Sequence, residues 1–196
     1  KRANLPWLWL YLATHYPLYL FYKLHLLSRM DAYIAWARDM AWLIRGLTLA
    51  QGQAAFDRIA DEQVIPSIRP DMLAVLRDHL AQGHRVILVS GTFQPMLETI
   101  AARLGVSECV GTLLAVREGR YTGGSLLPVC QGPGKVIRLR QYLAESGADL
   151  DLAASYAYAD GEWDLPVLEL VGHPVAVYPE AGLLAVARER GWKVIP

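Results

Sequence analysis

The sequence carries no net charge and no concentration of basic side chains. Nineteen basic and nineteen acidic residues balance to a formal charge of zero. Proteins that bind nucleic acid usually present a basic patch or stripe, and none can be traced along this chain. We therefore expect no nucleic-acid partner.

Cysteine is also scarce, and the familiar zinc and serine-hydrolase patterns are missing. The two cysteines, Cys109 and Cys130, belong to no CxxC or Cys/His cluster, and a chain of this size needs no disulfide framework. We expect both thiols to be reduced and the protein to be cytoplasmic. The five histidines form no HExxH motif, and no GxSxG surrounds a serine, which disfavours both chemistries.

Apolar residues are abundant, and their pattern changes along the chain. A hydrophobic content of 54% in 196 residues is enough for the core of one domain plus a cap. From Met72 onward, helical and strand patterns alternate, which predicts a parallel sheet covered by helices on both faces. We predict strands at 85–90, 153–159, 174–178 and 193–195, with a hairpin at 110–124. We predict helices at 71–82, 95–104, 134–146, 164–171 and 181–190.

The segment from Leu5 to Tyr22 is apolar, rich in aromatic residues and almost without charge before Lys23. Its length just reaches the lower range for a membrane span. Two prolines and the many rings suit two short buried helices, or an element lying at a membrane surface, better than a span. We favour buried cap helices, and the alternative is peripheral membrane contact through residues 5–28. No small-residue cleavage site follows, so the segment is not a secretory signal.

Two carboxylates follow the apolar run 153–159, and they are four residues apart. Asp160 stands at the predicted carboxyl end of a strand, and Asp164 opens the next helix. This arrangement points both side chains toward one place in front of the sheet edge. Carboxylate oxygens are the ligands that Mg²⁺ takes in proteins, so the pair is a candidate metal site. The alternative is that Asp160 only ends a strand and Asp164 only caps a helix.

A second candidate lies where the apolar run beginning at Arg85 ends in Ser90, Gly91 and Thr92. The pattern predicts a buried parallel strand that leads into a phosphate-binding turn. Gly91 would let the backbone approach an anion, and a helix starting near Gln94 would aim its first N–H groups at the same point. The Ser90 hydroxyl would add a donor. An ordinary strand-to-helix turn is the alternative.

A third candidate is Lys135, which follows Gly134 at the start of an amphipathic helix. A lysine in the first turn of a helix opposes the helix dipole, so it calls for an anionic partner. The sequence is not a Walker loop, because the spacing differs and Val136 replaces the hydroxyl residue. The alternative is a solvated surface lysine.

Taken in chain order, Ser90-Gly91-Thr92, then Gly134-Lys135, then Asp160 with Asp164 resemble motifs two, three and four of the haloacid dehalogenase superfamily, in its phosphoserine-phosphatase-like branch. The likeness runs from about Pro70 to Pro196. It implies a Rossmann-like α/β core at 81–196, a helical cap at 1–80, and a Mg²⁺-dependent phosphatase that acts through an aspartyl phosphate. It also implies site residues: phosphate would bind at Ser90, Gly91, Thr92 and Lys135, with Ser90 and Lys135 catalytic and with Asp160 and Asp164 as metal ligands.

The nucleophile of that family, carried in a D-x-D-x-T motif after the first strand, is not found in this sequence. Asp149 and Asp151 have the spacing but precede a strand, and Asp57 and Asp61 lie in a helical pattern, so we reject all four. We expect the nucleophile strand to lie outside this chain, which would make the chain inactive as given. The alternative is a pseudoenzyme that binds phosphate or a partner without turnover.

Trp163 departs from the pattern of many phosphoserine-phosphatase relatives, which carry an asparagine immediately before the second acid. An indole cannot bind a metal or replace the hydrogen bonds of an amide. The departure counts against phosphoserine as substrate and makes Asp164 a weaker candidate ligand than Asp160. We expect a small-molecule or lipid-like phosphate ester as substrate, and the lipid-like alternative comes from the aromatic composition of the cap at residues 1–80.

Overall fold

The structure is a computed structural model that describes residues 5–147 and 150–196, apart from the Arg29 side chain. Asp149, one of the acids rejected as nucleophile, lies outside the described residues. The chain divides into two compact units, the first ending at Val129 and the second running from Cys130 to Pro196.

The first unit begins with helices and turns. Its α-helices are α1 (Leu5–Lys23), α2 (Arg29–Asp39), α3 (Leu49–Ile59), α4 (Pro70–Ala81) and α5 (Gln94–Leu104), with 3-10 turns at Met40–Ile44 and Ile65–Ser67 and a π-helical turn at Ala60–Val64. Local sequence explains several helix ends. The Ser28 hydroxyl caps α2, and Thr48 and Gln51 form a capping box at the start of α3. Gly105 caps the carboxyl end of α5, and its left-handed φ of 74° suits glycine.

The strands of the first unit form two small sheets. β1 (Ile87–Phe93) pairs in parallel with β2 (Glu108–Thr112), and β3 (Leu114–Arg117) forms an antiparallel hairpin with β4 (Arg120–Ser125). Leu97 and Ala101 recur at helical spacing on α5 and pack with Val106 and Cys109 into a core, against which side chains of α4 also pack. This core holds the start of α5 directly after β1.

The second unit is a parallel three-stranded sheet with helices. Its elements are α6 (Pro133–Ser146), β5 (Tyr156–Ala159), α7 (Leu165–Leu168), β6 (His173–Val177), α8 (Ala181–Glu189) and β7 (Lys193–Ile195). The strand order is β5-β6-β7. Leu168, Ala176, Leu183 and Ala187 are fully buried and join α7 and α8 to the sheet.

The predicted fold class, an α/β protein with parallel strands flanked by helices, is confirmed. Several boundaries differ from the prediction. β1 continues to Phe93 instead of ending at 90, because its pairing with β2 resumes at Phe93 and Thr112. The predicted hairpin started too early, since residues 110–112 pair in parallel with β1. The strand predicted at 153–159 begins at Tyr156, and the helix predicted at 164–171 is only the short α7 after a 3-10 turn.

The amino-terminal segment also differs from the prediction of two short buried helices. It forms one helix, α1, with Pro17 inside it, and only Tyr11 and His15 are buried. Among the described residues, no helix combines the length and hydropathy that a membrane span requires. Apart from one isolated bridge at Thr48, the described residues before β1 form only helices and turns. The domain boundary between 80 and 81 stays a prediction.

Candidate phosphate and metal site

Ser90, Gly91 and Thr92 lie in the last part of β1, where its pairing with β2 is irregular. The register shifts between Val89 and Phe93, so these three residues stand outside the regular ladder. The backbone N–H of Thr92 donates to the Ser90 hydroxyl oxygen at 3.2 Å. Because a hydroxyl that accepts such a bond keeps its own proton, Ser90 can still donate to an anion.

Two side chains and one glycine outside residues 90–92 hold this part of β1 in place. The Thr112 hydroxyl donates to the carbonyl oxygen of Gly91 at 2.9 Å, and the side-chain oxygen of Gln94 accepts the N–H of Gly111 at 2.6 Å. A Cβ at Gly111 would lie 2.9 Å from the carbonyl oxygen of Thr92, so only glycine fits there without a shift. Sequence reasoning missed these supports. The partners are separated by 17 positions in one contact and by 21 in the other, and no local pattern marks contacts at such a separation.

α5 begins directly after this segment, at Gln94, with Pro95 in its first turn. The first N–H groups of an α-helix lack helical partners and favour anions. The Thr92 hydroxyl donates to the Met96 sulfur at 3.5 Å. The phosphate contacts predicted for Ser90, Gly91 and Thr92 stay predictions.

Lys135 lies in the first turn of α6, in the second unit. The turn before it is held by Gly132, whose carbonyl accepts the Lys135 N–H at 3.0 Å and whose φ is 52°. Lys135 is only 7% exposed. The alternative of a solvated surface lysine is therefore wrong.

The partner of Lys135 is Asp164. Its ammonium contacts a carboxylate oxygen of Asp164, and the two side chains are 9% and 19% exposed. Asp164 occupies the N-cap position of α7, but its side chain makes no capping hydrogen bond. Helix-dipole reasoning predicted an anionic partner for Lys135, and that partner is Asp164, one of the two candidate metal ligands. Because both side chains are largely buried, solvent screens the interaction only weakly.

Asp160 directly follows β5 and is exposed. Its carbonyl oxygen accepts the N–H of Glu180 at 2.8 Å, which ties the end of β5 to the loop before α8. The N–H of Asp164 donates to the carbonyl of Gly161 at 3.1 Å. These backbone bonds fix the loop that carries both acids.

The donor set fits Mg²⁺ bound together with a phosphate, and it does not fit a metal held by protein ligands alone. Within 5–147 and 150–196, no group of three or more histidine, cysteine, aspartate or glutamate side chains is placed to hold a metal ion. Mg²⁺ commonly uses only one or two carboxylates and completes its shell with water and phosphate oxygens. Asp160 and Asp164 would supply that number and type of ligand, and the metal contacts predicted for them stay predictions.

A cleft of about 620 Å³ lies elsewhere in the second unit. Tyr156, His173 and Lys193, which begin β5, β6 and β7, are among its lining residues. It therefore opens at the amino ends of the strands, whereas Asp160 follows a carboxyl end. None of the predicted site residues lines this cleft.

The other rejected acids have structural partners. Asp57 accepts a hydrogen bond from the Thr99 hydroxyl at 3.1 Å, and the Asp151 side chain accepts a backbone N–H within its own turn. The Arg103 guanidinium hydrogen-bonds Asp61 and holds the pKa of that carboxyl below its usual range. The rejection of all three as nucleophile stays a prediction.

Comparison with known proteins identifies relatives along most of the chain. The family described as haloacid dehalogenase-like hydrolase matches residues 2–169. A histidinol-phosphatase of Neisseria meningitidis is 36% identical over 136 residues, which cover 68% of this chain and 61% of the relative. A phosphoserine phosphatase of Mycobacterium tuberculosis is 34% identical over 151 residues, covering 77% of this chain and 48% of the relative. The chain thus spans about half to three-fifths of the length of these relatives.

Solved structures agree with this assignment. A Bordetella pertussis protein of unknown function has a TM-score of 0.79 and 33% identity, covering 92% of this chain and 79% of its own. A phosphoserine phosphatase in its apo form, with a TM-score of 0.58 and 19% identity over 94% of this chain and 84% of its own, shares the fold. The resemblance drawn from the three motifs is confirmed, and the chain belongs to the haloacid dehalogenase-like hydrolases, with phosphoserine-phosphatase-like relatives.

Proposed function

We propose that this chain carries the phosphate-binding and metal-binding residues of a Mg²⁺-dependent phosphomonoester hydrolase. The observation that supports the proposal most strongly is the shielded pair of Lys135 and Asp164. This pair joins the candidate phosphate-binding lysine to the acidic segment, because Asp164 lies four residues after Asp160, which follows β5. A shielded lysine that already has one carboxylate partner is suited to offset the charge of a bound phosphate. Relatives named as phosphatases agree with that use.

Ser90 and the first turn of α5 supply the donors for phosphate oxygens in this proposal. The Ser90 hydroxyl accepts the Thr92 N–H and keeps its own proton for donation. The N–H groups at the start of α5 add fixed dipoles that favour an anion. Donors held in place before the reaction lower the barrier because they need no reorganisation when charge develops.

Asp160 and Asp164 would hold Mg²⁺. One oxygen of Asp164 contacts Lys135, which leaves its second oxygen for a metal, and exposed Asp160 has both available to solvent. The bound ion would neutralise charge on the phosphoryl oxygens. The contact with Lys135 holds the Asp164 carboxylate in place, so the lysine also positions the metal ligand.

The phosphoryl acceptor in the proposal is an aspartate outside this chain. Its carboxylate oxygen would form a bond to phosphorus as the ester oxygen leaves, and water would then hydrolyse the aspartyl phosphate. Because the sequence contains no D-x-D-x-T motif, the chain as given would not turn over. The substrate class is a small-molecule or lipid-like phosphate ester.

The test uses the protein as its own cells make it, with its amino terminus established by intact mass. Phosphate release from histidinol phosphate, phosphoserine and a chromogenic phosphate ester is measured with Mg²⁺ and with a chelator. Asp160→Asn and Lys135→Ala should each lower turnover about 100-fold or more. Arg140→Ala, an exposed cation on the same helix as Lys135, should leave turnover within about twofold. Near-normal turnover of either site variant in a folded protein would overturn the assignment.

A pseudoenzyme is the second candidate, and the missing nucleophile motif is what favours it. It predicts that the complete native protein binds inorganic phosphate and Mg²⁺ in calorimetry but releases no phosphate from any ester. Loss of this binding in Asp160→Asn, without any turnover in the parent protein, would select the pseudoenzyme over the hydrolase.

A further inference from the structure

Helix α1 exposes an unusually apolar surface. A helix that is apolar all round is normally covered on every side, yet only a narrow stripe of α1 packs against α2 and the following 3-10 turn. Large apolar side chains face outward along its whole length and in the turn after it: Leu5, Trp9, Leu10, Leu12, Tyr16, Tyr19, Leu20, Phe21, Leu24 and Leu26. Among the described residues, nothing covers them.

The inner stripe of α1 is held by its polar groups. The Tyr11 hydroxyl donates to the carbonyl oxygen of Trp36 at 3.1 Å, and the His15 ring stacks on Tyr11 at 4.1 Å. The second ring nitrogen of His15 lies 3.3 Å from the Asp39 carboxylate. The helix thus turns polar groups inward and apolar groups outward. Rotating α1 to bury the apolar side would break these contacts, so the outward face is fixed by the fold.

Within residues 5–28 the sequence places one lysine, Lys23, and no acidic side chain. At the carboxyl end, the Lys23 ammonium lies over the Tyr19 ring at 5.6 Å, and at the amino end the Arg45 guanidinium lies over the Trp7 ring at 4.6 Å. A helix of 19 residues is roughly 28 Å long, so a cation lies near each end of α1, with Lys23 at the carboxyl end.

We infer that α1 lies flat in the interface of an anionic lipid bilayer. Its outward apolar side chains would enter the boundary between headgroups and acyl chains, where tyrosine and tryptophan are favoured. Lys23 would meet the anionic headgroups at the carboxyl end of α1 and would contribute to binding through the negative surface potential.

The same charges argue against a second copy of this chain as the occupant. Two copies joined through α1 would bring Lys23 or Arg45 of one copy toward the like-charged ends of the other. No carboxylate in residues 5–28 is available to offset them. An anionic lipid surface complements both the apolar face and the lysine at the carboxyl end of α1.

The test is co-sedimentation of the protein with vesicles of phosphatidylcholine alone and of phosphatidylcholine mixed with phosphatidylglycerol. We expect binding to the anionic vesicles that weakens as salt is added. Leu12→Ser should lower that affinity about fivefold, whereas Ile137→Ser, a helical side chain with the same 47% exposure, should not. Lys23→Gln should lower binding to anionic vesicles only, and Lys193→Gln, another exposed lysine, should leave it unchanged.

Circular dichroism of each variant establishes that it is folded, and Tyr16→Ser, on the same face at 64% exposure, replaces Leu12→Ser if that variant does not fold. Equal vesicle binding by the α1 variants and their controls would overturn the inference. So would a dimer in light scattering that Leu12→Ser dissociates while vesicles are not bound, because a second copy would then cover the face. Vesicle binding requires no turnover, so its outcome is independent of the proposed hydrolase activity.

Discussion

The ammonium of Lys135 contacts the carboxylate of Asp164 across 29 residues of chain, and both side chains are largely shielded from water. Removing one partner of such a pair leaves a charge without compensation. We predict that Lys135→Met and Asp164→Asn each lower the free energy of unfolding by about 3 kcal/mol. Arg140→Met, at an exposed position of the same helix, should change it by less than about 0.5 kcal/mol. Urea unfolding at neutral pH measures all three.

The double variant tests whether the two side chains act as a pair. Its cost should be smaller than the sum of the single costs by about 0.5–3 kcal/mol, because the second substitution removes the charge that the first one stranded. If the two single costs add up to the cost of the double variant, the side chains lie close together without contributing a direct interaction to stability.

Two separate arguments from the sequence predicted the two members of this pair. Helix-dipole reasoning required an anionic partner for Lys135, and strand-end reasoning identified Asp164 as a candidate ligand. Neither argument joined them, since the partner of a side chain depends on how α6 and α7 pack, which no local pattern encodes. For the same reason, Gln94 and Thr112 were not found as supports of the Ser90 segment.

The errors of prediction occurred where local rules compete with long-range pairing. β1 was predicted to end at Ser90 because the apolar run ends there in a hydroxyl, followed by a glycine, but parallel pairing resumes at Phe93. The prolines and aromatic rings of the amino-terminal segment favoured two short helices, yet Pro17 lies inside one helix. A segment that is apolar on all sides offers no periodicity to show which side packs, so its buried stripe could not be predicted.

Gly111 lies where β2 approaches the end of β1 most closely. A Cβ there would lie 2.9 Å from the Thr92 carbonyl oxygen and 3.0 Å from the Gln94 Cα, and both atoms belong to backbone. We predict that Gly111→Ala lowers the free energy of unfolding by about 1–3 kcal/mol. Gly124→Ala on β4 meets nothing closer than 3.6 Å and should change stability by less than about 1 kcal/mol. If both variants change the thermal stability equally, the backbone of Thr92 and Gln94 leaves room for a methyl group at Gly111.

Burial raises the pKa of the Cys109 thiol, and the nearby Glu98 charge acts in the same direction. Because the thiolate is the reactive form, a raised pKa and a buried sulfur both slow alkylation. We predict that native Cys130→Ala protein, in which Cys109 is the remaining cysteine, reacts at neutral pH at least ~100-fold more slowly than the same protein in denaturant. Stoichiometric labelling of the folded protein within the time of the denatured control would show that Cys109 is accessible.

Tyr11 makes the stability of the α1 contact depend on pH. Burial is the main cause that raises the pKa of its phenol above the ordinary value of 10.0, and the Asp39 charge adds to it. The folded state therefore favours the neutral phenol. Its stabilising contribution is complete below the unfolded value and is lost as pH rises toward the folded one, because the unfolded chain then ionises Tyr11 first.

Tyr11→Phe separates this effect from the rest of the protein. At neutral pH the variant loses the hydrogen bond to the Trp36 carbonyl and should be less stable by about 1 kcal/mol. Above the unfolded phenol value of 10.0, the parent protein loses stability that the phenylalanine variant cannot lose, so the gap between them should close. Urea unfolding of both proteins across this range measures the gap. For Tyr16→Phe, at an exposed position of the same helix, the difference in unfolding free energy from the parent protein should not change with pH. A constant gap for Tyr11→Phe as well would mean that the phenol is solvated and that α1 does not bury it against α2.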